Sequence, residues 1–167
     1  MPHPISALGA FHTIVSLAPF IAGIYGFIRY HKIDSATLSG KIYLVGLTIT
    51  SLSSFGLSST GGFNIGHAIG ILALLSIVGA LLIPRISFLG RTRPYLSQLS
   101  LNFSFFLLLV PGINETLTRL PTAHPFAAGP ESPVVRTTLV VWLGIFVLGS
   151  LLQTWWTYQQ NKRVRIA

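Results

Sequence analysis

The chain has 167 residues, of which 51% are hydrophobic and only 8% charged, with a mean hydropathy of +0.69. A soluble globular domain carries about 25% charged residues, so this composition excludes an ordinary water-soluble fold and points to the membrane class. The net charge of +8 forms no basic stripe on a polar helix, which argues against a nucleic-acid partner, and the lack of cysteine excludes disulfides, thiolate metal sites and iron–sulfur clusters.

Crossing a bilayer takes about 20 predominantly apolar helical residues. Five segments meet that need, which predicts a single all-α membrane domain over 1–167. The first span, near 5–28, has no Lys or Arg ahead of it. It therefore lacks the basic n-region of a cleaved signal peptide and is expected to remain as a span. His12 stands early in it, above a stripe of Ser16, Pro19, Gly23 and Gly26. Ala18, Ala22 and Gly26 form a small-residue ladder of the kind that lets helices approach closely.

The second span, near 41–60, is the most polar, with "LTITSLSSFGLSST" rich in hydroxyls. Such side chains bond back to their own helix or across to a neighbour, so a buried face is expected, with a polar groove as the alternative. The third, near 64–83, follows Gly61 and Gly62 and carries His67 at its head, with Gly66 and Gly70 spaced as a GxxxG pair. The fourth, near 95–118, sets Gln98 and Asn102 on one face and, past Pro111 and Gly112, pairs Glu115 with Arg119 four residues on. The fifth, near 134–157, follows a loop stiffened by Pro121, Pro125, Pro130 and Pro133.

The basic residues predict direction. Arg29, Lys32, Lys41, Arg85, Arg91, Arg93, Lys162, Arg163 and Arg165 fall on one side of a five-span arrangement, and only Arg119 and Arg136 on the other. Cytoplasmic loops hold the excess of Lys and Arg, so the N-terminus is expected outside and the C-terminus in the cytoplasm. Tyr25, Tyr30, Tyr43, Tyr95, Tyr158, Trp155 and Trp156 fall near the same ends, as an interfacial aromatic belt should.

His12 and His67 then lie at similar depth on the outer side, on parallel helices. Two neutral imidazoles so placed are candidates for the axial ligands of a haem b iron, and the small residues below His12 would leave a slot for a flat macrocycle. The same small residues would equally admit another helix, and a histidine near a helix end also bonds a carbonyl, a hydroxyl or interfacial water. A copper or zinc site drawing on His3 or His124, or a quinone, stays open as well. His31 reads as a solvated residue beside Arg29 and Lys32. The chain has no Walker loop, GxGxxG, GxSxG or HExxH motif, so nothing in the sequence marks an enzyme.

Two stretches, "SGKIYLVGLTITSLSSFGL" at 39–57 and "GHAIGILALLSIVGALL" at 66–82, resemble a family of small bacterial polytopic membrane proteins catalogued as a domain of unknown function. His12, the run Gly40-Lys41-Ile42-Tyr43, His67 and "INETLTRLP" at 113–121 match its pattern. Thr37 and Leu38, and "GRTRPYLSQLS" before the fourth span, stand where that family often has histidines. The resemblance implies a bacterial inner-membrane location and no defined activity. Three functions follow from the sequence: a structural or assembly subunit partnered by lipids and other membrane subunits; a bis-histidine haem electron carrier using His12 and His67; and a small transporter lined by the second span and Asn102.

Overall fold

The computed structural model describes residues 6–57 and 62–166, with side chains through Lys162. Five α-helices follow one another: α1 (Ala7–Tyr30), α2 (Leu38–Ser54), α3 (Ile65–Leu82), α4 (Arg93–Arg119) and α5 (Pro133–Ile166). Two short 3-10 turns, Ile83–Arg85 and Ser87–Thr92, join α3 to α4, and no strand occurs among the described residues. The all-α expectation is met.

The helix starts are written in the sequence. Ser6, Thr37 and Asn64 each turn a side-chain oxygen onto the amide three residues on, at Gly9, Gly40 and His67. These caps satisfy amide donors that the first turn leaves unpaired. α1 ends at His31, whose left-handed backbone (φ 59°) lets its amide reach the Phe27 carbonyl.

The helices alternate in direction. His12 near the start of α1 meets Ser53 at the end of α2, and Gly70 near the start of α3 faces Ser51 and Ser54 of α2. Ser97 at the start of α4 donates to Ala80 near the end of α3, and Trp142 near the start of α5 donates to the Phe106 carbonyl of α4. Each helix packs on its predecessor, and α1 also touches α4. Phe105 is the hub of the core, with Phe20, Phe27, Tyr43 and Trp142 arranged round its ring. Close helix approach depends on glycine here. A Cβ on Gly46 would lie 2.7 Å from Pro19, and one on Gly23 would lie 2.6 Å from Phe105.

Four helical segments are long and apolar enough to cross a membrane: Ala7–Tyr30, Ile65–Arg85, Ser87–Arg119 and Pro133–Lys162. They mark a multi-pass membrane protein by length and composition. The expected second span, 41–60, is instead the 17-residue α2, which begins at Leu38 and stops at Ser54; residues 58–61 lie outside the described residues. At about 1.5 Å per residue α2 is roughly 26 Å long, against a hydrocarbon core of about 30 Å. Its last turn is marked by hydroxyls that turn inward. Ser53 and Ser54 turn back onto the carbonyls of Thr50 and Ser51, and such back-bonding weakens and bends helices.

One further expectation is corrected. Tyr43 does not stand in an exposed aromatic belt: it is fully buried, and its hydroxyl meets Ser104 Oγ at 2.6 Å. The gap beside Gly23 takes its ring. Of the GxxxG pair, Gly70 lies directly against α2, whereas among the described residues a Cβ on Gly66 would meet only the Asn64 side chain.

Candidate functional site

The side chains with chemistry gather at two ends of the bundle. At the first end lie the starts of α1 and α3 and the end of α2. His12 Nδ1 stands 2.8 Å from Ser53 Oγ, and that hydroxyl donates on to the Thr50 carbonyl. Because Ser53 spends its hydrogen on the carbonyl, His12 Nδ1 is the donor to it. Glu115 of α4 lies within electrostatic reach of His12 and forms an ion pair with Arg119 one turn on.

His67 is buried, 7% exposed, and is part of its own helix cap. Its amide donates to Asn64 Oδ1 at 3.1 Å, and its Nδ1 accepts from the Asn64 amide at 3.3 Å, a reciprocal capping box. Phe55 and Phe63 hold the ring, with centroids at 5.6 and 5.5 Å. An accepting Nδ1 fixes the hydrogen on Nε2 in the neutral ring. Nε2 is buried without a partner among the described residues, as are Thr50 Oγ1 and Asn114 Oδ1.

The two histidines are thus both fastened to the last turns of α2, one to Ser53 and the other against Phe55. The stripe below His12 is filled by protein. Pro19 packs on Gly46, Gly23 takes Phe105 and Tyr43, and Gly26 abuts the backbone of Lys32 and Ile33. Of the two uses that small residues allowed there, the structure has the close approach of other chain segments. His3 lies outside the described residues. His124 is exposed in the α4–α5 loop, and no group of three metal-ligating side chains occurs among the described residues.

At the opposite end a chain of amides links three helices. Gln98 Nε2 donates to Asn102 Oδ1 at 3.2 Å, the same-face pair that the spacing predicted. Asn102 Nδ2 then donates to Gln153 Oε1 at 2.5 Å and to Ser150 Oγ at 3.3 Å on α5. Gln153 closes the chain by donating to the His31 carbonyl at the end of α1. This network floors a side crevice of about 460 Å³ between α1, α4 and α5, walled by Phe27, Phe105, Phe106, Trp142 and Phe146. The sequence reading found Gln98 and Asn102 but missed Ser150, Gln153 and the crevice. Gln153 was the available signal, a lone amide inside the apolar run of α5. His31, read as a solvated residue, has an exposed ring against Trp156 and contributes its carbonyl to the network.

Beside the network a second, polar basin of about 290 Å³ is lined by Lys32, Asp34, Arg93, Ser97 and Gln98. Asp34 pairs with Lys32 at 3.2 Å and accepts from the Ala36 amide at 3.0 Å. Burial pushes its carboxyl up, but the Ala36 bond and the Lys32 charge outweigh it and hold the group below the usual carboxylate value. Arg93 bridges back to the carbonyls of Pro84 and Ser87, at 3.4 and 2.8 Å, and so clamps the α3–α4 connection.

No family model, curated protein or solved structure matches this chain.

Proposed function

We propose that this protein is a non-catalytic structural or assembly subunit of a larger membrane complex. One observation carries the reading: the acids, and most of the polar side chains that chemistry or transport would need, are already paired within the chain. All three acids of the chain are ion-paired, Asp34 with Lys32, Glu115 with Arg119 and Glu131 with Arg136. His12 ties α1 to α2, His67 caps α3, and Asn102 ties α4 to α5. A catalytic carboxylate would want a second acid or a base at hand, and a transporter would more often keep an acid at mid-depth.

In this reading α2 is the fifth span. Its 17 residues sit at the short end of what crosses a bilayer, and neighbours cover much of it. The nine-to-two division of Lys and Arg supports an N-terminus outside and a C-terminus in the cytoplasm. The bacterial inner membrane is what the resemblance at 39–57 and 66–82 implies. Deletion of the protein tests the role. The reading expects a co-migrating membrane complex on native gels to lose this 18.1 kDa chain and to fall in abundance with it. A chain that migrates alone, and whose deletion leaves every membrane complex intact, would overturn it.

A second reading, bis-histidine haem b through His12 and His67, draws support from the buried Nε2 of His67, which has no partner among the described residues. It requires that nitrogen to surrender its hydrogen, so Nδ1 must become a donor and release the Asn64 amide. The visible spectrum of purified protein decides it: a Soret band lost in both His12→Ala and His67→Ala supports haem, and a flat spectrum removes it.

A further inference from the structure

The crevice and the basin adjoin. Gln98 lines the polar basin, Asn102 lines the apolar crevice, and the two amides are hydrogen-bonded to each other. One side is a slot of flat aromatic walls between helices long and apolar enough to cross a membrane. The other is a polar hollow holding Lys32 and Arg93 against the single carboxylate of Asp34. We propose that together they bind one anionic phospholipid, with an acyl chain in the crevice and the phosphate in the basin.

The charge pattern selects this occupant. The loops and helix ends on this side of the bundle carry Arg29, Lys32, Arg85, Arg91, Arg93 and Lys162, so the basin sits in a positive field. Lys32 is half-exposed, and Arg93, with both terminal nitrogens on carbonyls, keeps a buried Nε–H without a partner among the described residues. A phosphate can take such donors through charge-assisted hydrogen bonds. A quinone would use the amide floor but draw nothing from the positive field of the basin. A lipid without a phosphate would fill the crevice and leave the basin empty, and a zwitterionic one would bring a cation into its positive field. The site depends on the membrane setting but not on the assembly role, so each can fail alone.

The test uses the whole chain, delipidated in mild detergent and titrated with phosphatidylglycerol, phosphatidylcholine or inorganic phosphate, with native mass spectrometry and thermal melting as readouts. Phosphatidylglycerol should bind one to one and raise the melting temperature, phosphatidylcholine, which offers the same phosphate but brings its choline cation into the positive field of Lys32 and Arg93, should bind about tenfold more weakly, and phosphate alone should do neither. Gly149 lines the crevice, and a Cβ there meets nothing within 4 Å, so Gly149→Leu fills the slot while sparing the fold. It should abolish lipid binding. Ile145→Trp, at another exposed lining position, is a second filling variant should the first lower the lipid-free melting temperature. Lys32→Gln should erase the preference for phosphatidylglycerol and leave chain binding intact. Equal binding of both lipids, unchanged in the two filling variants, would mean unspecific annular lipid and overturn the proposal. Stabilisation by phosphate alone would overturn the acyl-chain half of it.

Discussion

Two glycine-to-alanine substitutions, chemically identical, should move stability in opposite directions. At Gly46 the new methyl would lie 2.7 Å from Pro19 Cδ and 3.3 Å from the Pro19 backbone nitrogen. A proline ring cannot rotate away, so α1 and α2 must separate. Overpacking of this kind costs about 1–3 kcal/mol in close-packed cores. Against it stands the gain of alanine over glycine within a helix, about 1 kcal/mol. The net for Gly46→Ala is a loss of about 0–2 kcal/mol. At Gly149 the methyl meets nothing, so only the gain remains and the variant should be stabilised by up to about 1 kcal/mol. The difference between the two, about 1–3 kcal/mol, isolates the α1–α2 contact from helix propensity. Melting of each variant in one detergent under one set of conditions measures it. Equal shifts in the two variants would show that Pro19 and Gly46 are not in contact and would refute the packing described here.

The remaining predictions follow from single bonds. Tyr43→Phe removes the hydroxyl bonded to Ser104, while Ser104 keeps its bond to the Leu101 carbonyl, so the loss should be about 0.5–1.5 kcal/mol in thermal melting, with no unpaired serine left behind. Asn102→Leu cuts the amide chain between α4 and α5 at its centre; the bonds lost are worth about 0.6 kcal/mol each in a membrane bundle, and the melting temperature should fall accordingly. Asp34 has its carboxyl held below the usual value in the folded chain, so it adds stability above the unfolded-state value that is lost as pH falls through the folded one. Asp34→Asn should therefore lower the melting temperature slightly at neutral pH, leave it unchanged at acid pH and so flatten the acid limb; the loss is small because the Lys32 pair is partly exposed.

How far the sequence carries can be judged at particular residues. The number of helices was legible because apolar runs, caps and prolines bound each one. Ser6, Thr37 and Asn64 cap where such residues should. Gly70 packs as its spacing foretold, and Gln98 meets Asn102 on the shared face. The end of α2 was not legible. Hydropathy continues past Ser54 through Phe55 and Leu57, so composition alone does not mark the stop. Tyr43 misled for a related reason: its place near a helix end is what an interfacial tyrosine shares with a core tyrosine, and the Gly23 gap and Ser104 that bury it come from other helices. His67 was visible as an anomaly, yet its partner lies three residues back. The Asn-to-His spacing is a capping pattern with histidine where glutamate or glutamine is usual. The crevice needed three helices in register, which one-dimensional periodicity does not supply.

The central proposal is that five helices cross the membrane, with α2 as a short fifth span, and that their polar groups are mostly paired within the chain. The chain has no cysteine, so single cysteines can be introduced without background. Ser35, Phe63, Arg91, Ala123 and Gln160 are exposed positions, one in each connection and one near the end of α5. With a membrane-impermeant maleimide on intact cells, Phe63→Cys and Ala123→Cys should be labelled, and Ser35→Cys, Arg91→Cys and Gln160→Cys only after permeabilisation. Labelling of Ser35→Cys together with Phe63→Cys in intact cells would mean that α2 does not cross, and would contradict the account.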